Sequence, residues 1–342
     1  MSLSYPQHRS NGNIIDLCKF IMAILVVAIH TEPLATCSNH NLTILFKLIT
    51  SMAVPFFFLA TGYLLGSKIN VLQDPRKKTA LLSRYLCKIA KLYLLWTIIY
   101  FPLALYDCIH NGKPLDLNIL FYIRGFLFVG EQYNSWHLWY LLSTIYALIL
   151  IIAMIRFNFN PVKQISVICT ALILSIVLDA FSGYSGPLPT FLQFGRKVIQ
   201  STVINGRILR GLFYIPAGIL LASKKLPVKI CLPLFFISFA ANYVVSNSSI
   251  SNVLVFLSSI AFFGTIIHIR LRDHVIYPFM RKISTVTYLI HMYIWTFYYI
   301  LVYKEKTFGW DSFVVTAIIC IAVGAVYNII QRKTSITRKA EV

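Results

Sequence analysis

The sequence predicts an all-α integral membrane protein, a bundle of about ten transmembrane helices with both termini cytoplasmic. Three observations predict it. Hydrophobic residues make up 58% of the 342-residue chain and charged residues only 12%, against about a quarter charged in a soluble domain. Apolar runs near the ~20 residues that cross a bilayer recur over the whole length. The 31 Lys+Arg against 11 Asp+Glu, a net charge of +20, fall mostly between alternate runs, as the positive-inside rule describes. In a soluble chain that excess would suggest nucleic acid. Here the loops account for it, so membrane lipid is an expected partner and nucleic acid is not.

The first apolar run, 13–34, reads as a spanning helix rather than a leader, because no small-residue cleavage site follows it. It carries Asp16, Lys19 and His30. Ionisable groups within a span are costly and mark function by default. Lys19 and His30 are eleven residues apart, which returns to nearly the same helix face about 16 Å further along. Asp16, three residues before Lys19, is placed to pair with it. The plainer reading has Lys19 snorkelling and His30 at the interface.

The second run, 43–66, contains Pro55, a helix breaker. Lys68, Arg76, Lys77 and Lys78 then mark an inner loop before the third run, 84–106. Arg84, Lys88 and Lys91 are spaced four and three apart and so share a helix face. Such a stripe suits phosphates or, as an ordinary basic flank, anionic lipid. The connector 107–133 holds a mixed stretch, Leu115 to Phe128, that reads as an interfacial or re-entrant helix.

The fourth run, 134–156, opens on Trp136-His137-Leu138-Trp139-Tyr140. This is either an aromatic belt or, since topology puts His137 near the depth of His30, part of a shared polar cavity. The fifth run is 163–182, with Asp179. The connector 183–207, with Arg196, Lys197 and Arg207, is the exception to the charge rule. Its Gly183-Tyr184-Ser185-Gly186-Pro187 lacks the spacing of a nucleophile elbow. The sixth run, 208–223, is short, begins at Arg210 and contains Pro216. The runs 228–246, 251–269, 283–302 and 311–331 follow. His291 lies near the middle of the ninth and should face the interior, for a structural hydrogen bond or for chemistry. Glu32, Lys47, Glu131, Asp179, Arg207 and Arg210 share the outer level.

No internal repeat divides the chain, so 1–342 reads as a single polytopic domain. The seven cysteines form no C-x-x-C. Cys37 and Cys108 fall in outer loops, where a disulfide is open to them. No H-E-x-x-H, paired Cys/His spacing or P-loop is present, so no metal is expected.

Several stretches together are similar to a known family. They are Ile15-Asp16-Leu17-Cys18-Lys19-Phe20 with Val26-Val27-Ala28-Ile29-His30, and Val54-Pro55-Phe56-Phe57-Phe58 with Thr61-Gly62-Tyr63. His137-Leu138-Trp139-Tyr140-Leu141, Arg210-Gly211-Leu212-Phe213 and Tyr288-Leu289-Ile290-His291 follow in order. The chain resembles the acyltransferase family 3 proteins, integral membrane O-acyltransferases that modify glycans and related acceptors. The membrane domains of the vancomycin-resistance serine racemases resemble the same family. Two departures are clear: Lys19 stands where relatives usually have Arg, and Lys88-x-x-Lys91, with Arg84 one turn before, stands for their Arg-x-x-Arg.

The resemblance implies an acyl-CoA donor on the cytoplasmic side, acetyl-CoA first, in a bacterial cytoplasmic membrane. The acceptor is then a hydroxyl of an extracytoplasmic glycan or lipid-linked saccharide. Lys19, Arg84, Lys88 and Lys91 would meet the donor. His30 would act as general base, a role that suits an imidazole near neutral pH. Glu131, Asp179 or His137 would orient it or bind the acceptor. Arg210 would stabilise the oxyanion or hold an acidic sugar, and Trp139 and His291 would line the substrate site. The rival reading is a transporter of an amino acid or glycan precursor, with Pro55 and Pro216 breaking helices along a path.

Overall fold

The computed structural model describes residues 9–202, 207–245 and 249–340, and these fold into thirteen α-helices with short 3-10 and π segments. Among the charged loops that set the orientation, 203–206 and 246–248 lie outside the described residues, as do the side chains of Arg9, Arg332, Lys333, Arg338 and Lys339.

Each of the ten apolar runs coincides with a helix. Seven stretches are long and apolar enough to cross a membrane: Gly12–Thr31, His40–Ile69, Pro75–His110, Trp136–Arg156, Pro161–Gly183, Ile276–Val302 and Trp310–Gln331. Thr190–Thr202 with Arg207–Ser223 makes an eighth if the bent pair is one span. Val228–Val244 and Ile250–Ile266 are apolar but reach at most 17 residues, about 26 Å of helix against a ~30 Å hydrocarbon core. The count of ten expected from hydropathy therefore becomes seven or eight by length and composition.

The chain divides into two compact units. The first comprises residues 1–57, 227–236 and 261–342. Its frame is α1 (Arg9–Thr31), α12 (Ile276–Val302) and α13 (Trp310–Ala340), packed pairwise, with α2 (His40–Ser51) against α1. Ile15, Ala23, Val27 and Trp295 are fully enclosed. The Gly309 N–H donates to the Thr31 carbonyl at 2.9 Å, tying the start of α13 to the end of α1.

The second run is interrupted. α2 ends at Ser51, Met52 caps it, and α3 (Ala53–Ile69) begins anew. Pro55 explains the position: it offers no N–H to the carbonyl four residues back, Ser51, and its ring crowds that carbonyl. The Thr50 and Ser51 hydroxyls turn back to the carbonyls of Phe46 and Leu48, at 2.9 and 2.7 Å.

The second unit comprises 58–226 and 237–260. α6 (Trp139–Arg156) packs on α4 (Pro75–His110) and α9 (Arg210–Ser223), and α9 on α7 (Pro161–Gly183). Asp74 and Asn160 cap α4 and α7 through side-chain oxygens, each followed by proline at the first helical position. α3 approaches α9 along glycines: a Cβ on Gly62 would strike the Ile215 carbonyl, and one on Gly66 would lie 2.9 Å from the Ile219 Cα. Four-residue glycine spacing lets membrane helix backbones approach closely.

The connector after α4 holds α5 (Leu115–Arg124) and a π turn, Gly125–Val129, the short helix expected from the mixed stretch. The connector 183–207 contains an amphipathic helix, α8 (Thr190–Thr202), with Phe191 and Phe194 exposed. α10 (Val228–Val244) and α11 (Ser249–Ile266) belong partly to each unit. All seven cysteines are free thiols, Cys37 and Cys108 included.

Candidate active site

In the first unit, α1 and α12 lie side by side and run the same way. Near their N-termini, Asp16 meets Arg281 with a carboxylate oxygen 3.5 Å from Nη1. Asn13 donates to Asp273 at 2.7 Å. Further along, the rings of His30 and His291 face each other with centroids 5.2 Å apart, tilted by 37°. The two helices therefore present the same sequence of groups. Lys19 precedes His30 by eleven residues and Arg281 precedes His291 by ten, rises of about 16 and 15 Å.

The ion pair that Asp16 makes is with Arg281, across helices, not with Lys19 as its spacing suggested. Lys19 remains within electrostatic reach of both. Arg281 is the residue that sequence reading missed as a site group, because it looked like one more cytoplasmic loop base. Its signal was present: a second cation about three turns before a second histidine.

The histidines are not equivalent. His291 is fully buried. Its Nδ1–H donates to the Tyr288 carbonyl at 2.8 Å and, more weakly, toward Thr287 at 3.2 Å. A carbonyl only accepts, so this bond assigns the proton to Nδ1 and leaves Nε2 with the lone pair. His30 is half-buried, immediately before the Thr31 that anchors α13. One ring is thus locked and the other reachable.

The remaining predicted residues fall in the second unit. His137 is buried, with its ring 5.1 Å from that of Tyr100 in an edge-on arrangement. Trp139 is buried and packs 5.9 Å from Phe58. His30, expected to share one cavity with His137, belongs to the first unit and His137 to the second. Arg210 opens α9. Ser143 fixes that opening, since its hydroxyl accepts from Gly211 N at 2.9 Å and donates to the Ile208 carbonyl at 2.7 Å. Arg210 lies within electrostatic reach of Asp179 and Tyr214, and Asp179 accepts from Asn252 at 2.7 Å.

Glu131 pairs with Arg207 at 3.0 Å. Burial pushes its carboxyl above the ordinary carboxylate range, while Arg207 and Arg124 pull it back. Arg84, Lys88 and Lys91 are exposed along α4. That helix is 36 residues long, about 54 Å, so its basic first turns outreach a ~30 Å core. Among the described residues, no three His, Cys, Asp or Glu side chains converge as metal ligands would.

An all-helical, multi-pass membrane protein with buried histidines and cations between its helices defines the class. The comparisons with known proteins narrow it: the model of a family described as an acyltransferase domain matches residues 13–329. The chain belongs to that family. It is also similar to an amino-acid racemase of Enterococcus faecalis, 35% identical over 150 residues, which is 44% of this chain and 20% of the relative. A serine/alanine racemase of Enterococcus gallinarum is 32% identical over 126 residues, 37% of this chain and 17% of the relative. The chain thus aligns with a fifth or less of these relatives' length. No solved structure matches.

Proposed function

We propose that this membrane acyltransferase moves an acyl group, acetyl first, from cytoplasmic acyl-CoA to a hydroxyl of an extracytoplasmic or lipid-linked saccharide. One observation carries the reading: α1 and α12 face each other with cations at one end and a histidine pair beyond them. Lys19 and Arg281 receive the donor's phosphates, Arg281 with a half-exposed guanidinium suited to bidentate contact. CoA's pantetheine arm is long enough to carry the thioester one helical stretch onward to His30. His30 takes the proton from the acceptor hydroxyl as its oxygen attacks the thioester carbonyl. The C–S bond then breaks, and the thiolate leaves as CoA and is protonated. His291 stands behind His30 as a positioning residue. The exposed stripe of Arg84, Lys88 and Lys91 gathers the polyanionic donor at the cytoplasmic face.

The test uses the full chain in lipid nanodiscs with acetyl-CoA and longer acyl-CoAs, following release of free CoA thiol. Wild type should bind and turn over slowly with water as acceptor. His30→Ala should retain binding and lose thiol release by at least about a hundredfold, the low end for a general base. Unchanged release in folded His30→Ala would remove His30 from the mechanism.

The similarity to amino-acid racemases favours one second reading, passage of a small amino acid across the membrane. Uptake of labelled L-serine into proteoliposomes without acyl-CoA consumption would establish it.

A further inference from the structure

The second unit holds a polar cavity of about 260 Å³ in the connector between α4 and α6. Lys113, Phe121, Arg124, Glu131, Tyr133 and Trp136 line it. The backbone that shapes it is bent at defined points. A π turn, Gly125–Val129, ends in Gly130 at φ 70°, and Tyr133 also takes a positive φ of 48°. Non-glycine residues held there cost energy and cluster at functional sites. Gly125 is required because a Cβ would strike the Glu131 carbonyl.

The buried Asn118 holds both rims. Its Oδ1 accepts from the Tyr133 hydroxyl at 2.6 Å, and its Nδ2 donates to the Lys113 carbonyl at 3.2 Å. Gln132 is buried and bonds to Tyr93 at 3.1 Å. The cavity is therefore a preformed feature of the loop, not a gap between side chains.

Its charge is unbalanced. Glu131 is matched by Arg207 at 3.0 Å. Among the described residues Lys113 and Arg124 make no ion pair of their own, although Arg124 is within electrostatic reach of Glu131; both lie against the Phe121 ring, 4.9 and 5.0 Å from its centre. The Arg124 Nε is buried and has no hydrogen-bond partner among the described residues. A buried guanidinium donor without a partner calls for an anionic acceptor. Aromatic side chains beside it offer flat apolar faces. The volume is near the lower bound of small-molecule sites, ~300 Å³, which limits the guest to one ring.

We infer that this cavity binds a single anionic sugar unit, with Lys113 and Arg124 on its carboxylate or phosphate and Trp136 or Tyr133 against the ring. On the acyltransferase reading this is the acceptor's recognition site, set in the connector that the charge pattern assigns to the outer face. The inference rests on that reading for its role, but not for its binding chemistry.

Calorimetric titration of the full chain in nanodiscs tests it with three probes: galacturonate, galactose 1-phosphate and galactose. At least one anionic probe should bind ten times more tightly than galactose. Binding confined to galacturonate assigns a carboxylate, and binding confined to the phosphate assigns a phosphate. Arg124→Gln should weaken that binding tenfold or more, with Arg124→Lys intermediate. Equal affinity for galactose, binding indifferent to Arg124→Gln and Lys113→Gln, or no binding of either anion to folded protein would overturn the inference. Those failures would leave His30-dependent thiol release standing. No thiol release from wild type, or release indifferent to His30→Ala, with sugar binding intact would instead sink the acyltransferase reading alone.

Discussion

Two imidazoles with ring centres 5.2 Å apart can divide the work of proton handling only if they differ. Here they do. The Nδ1–H bond of His291 to the Tyr288 carbonyl fixes its tautomer and ring plane, while His30 keeps an accessible edge. His291→Ala should therefore lower the turnover number with little change in the Michaelis constant for acyl-CoA. His291→Gln, which still fills the site, should recover part of the loss. Arg281→Gln should act oppositely, raising that constant about tenfold with turnover nearly kept, since a charge-assisted bond contributes about 1.5–3 kcal/mol. Steady-state thiol release on the three variants separates these outcomes. Equal effects of Arg281→Gln and His291→Ala on both parameters would mean that the residues act through the fold alone. The spacing of Lys19 and His30 was legible in the sequence. The pairing of Arg281 with Asp16 was not, because a basic residue at a helix's inner end has an ordinary topological explanation that masks a specific one.

At the scale of elements, glycine and proline set what hydropathy leaves open. Apolar runs marked where each helix lies, because the bilayer selects length and composition. They were silent on the break at Met52, although Pro55 and its carbonyl four residues back contained the reason. They were silent too on the contact of α3 with α9, which depends on Gly62, Gly66 and Gly218 lacking a Cβ. Gly218→Val would force its side chain onto the Leu59 carbonyl. Such overpacking commonly costs about 1–3 kcal/mol. The variant should lower the thermal midpoint of the detergent-solubilised protein by several degrees and reduce its yield. Gly12→Ala, where a Cβ meets nothing within 4 Å, should leave both unchanged. The polar cavity beside α5 was the least legible feature. Its shape comes from a π turn and two positive φ angles, which no periodicity announces.

For the whole molecule, the number of crossings is constrained by a single packing fact. α1 and α12 are parallel, since Asp16 meets Arg281 and His30 meets His291. If both cross the membrane in one direction, an odd number of crossings must separate them. Three helical stretches that pass the length and hydropathy test certainly intervene after α2–α3, namely α4, α6 and α7, giving four in all. One or three of α9, α10 and α11 must then cross as well. On that premise the total with α13 would be eight or ten, and in either case both ends of the chain would lie on one side. By the positive-inside rule the expected side is the cytoplasm. Reporter fusions check this directly. A fluorescent protein that matures only in the cytoplasm should be bright at both ends of the chain, and a secreted phosphatase fused at either end should be inactive. Fusions in the loops on both sides of α10 then decide between eight and ten, because only three crossings put the first loop inside and the second outside. Opposite behaviour at the two ends would contradict the parallel packing of α1 and α12, and with it the pairing of cations and histidines on which the proposed donor site depends.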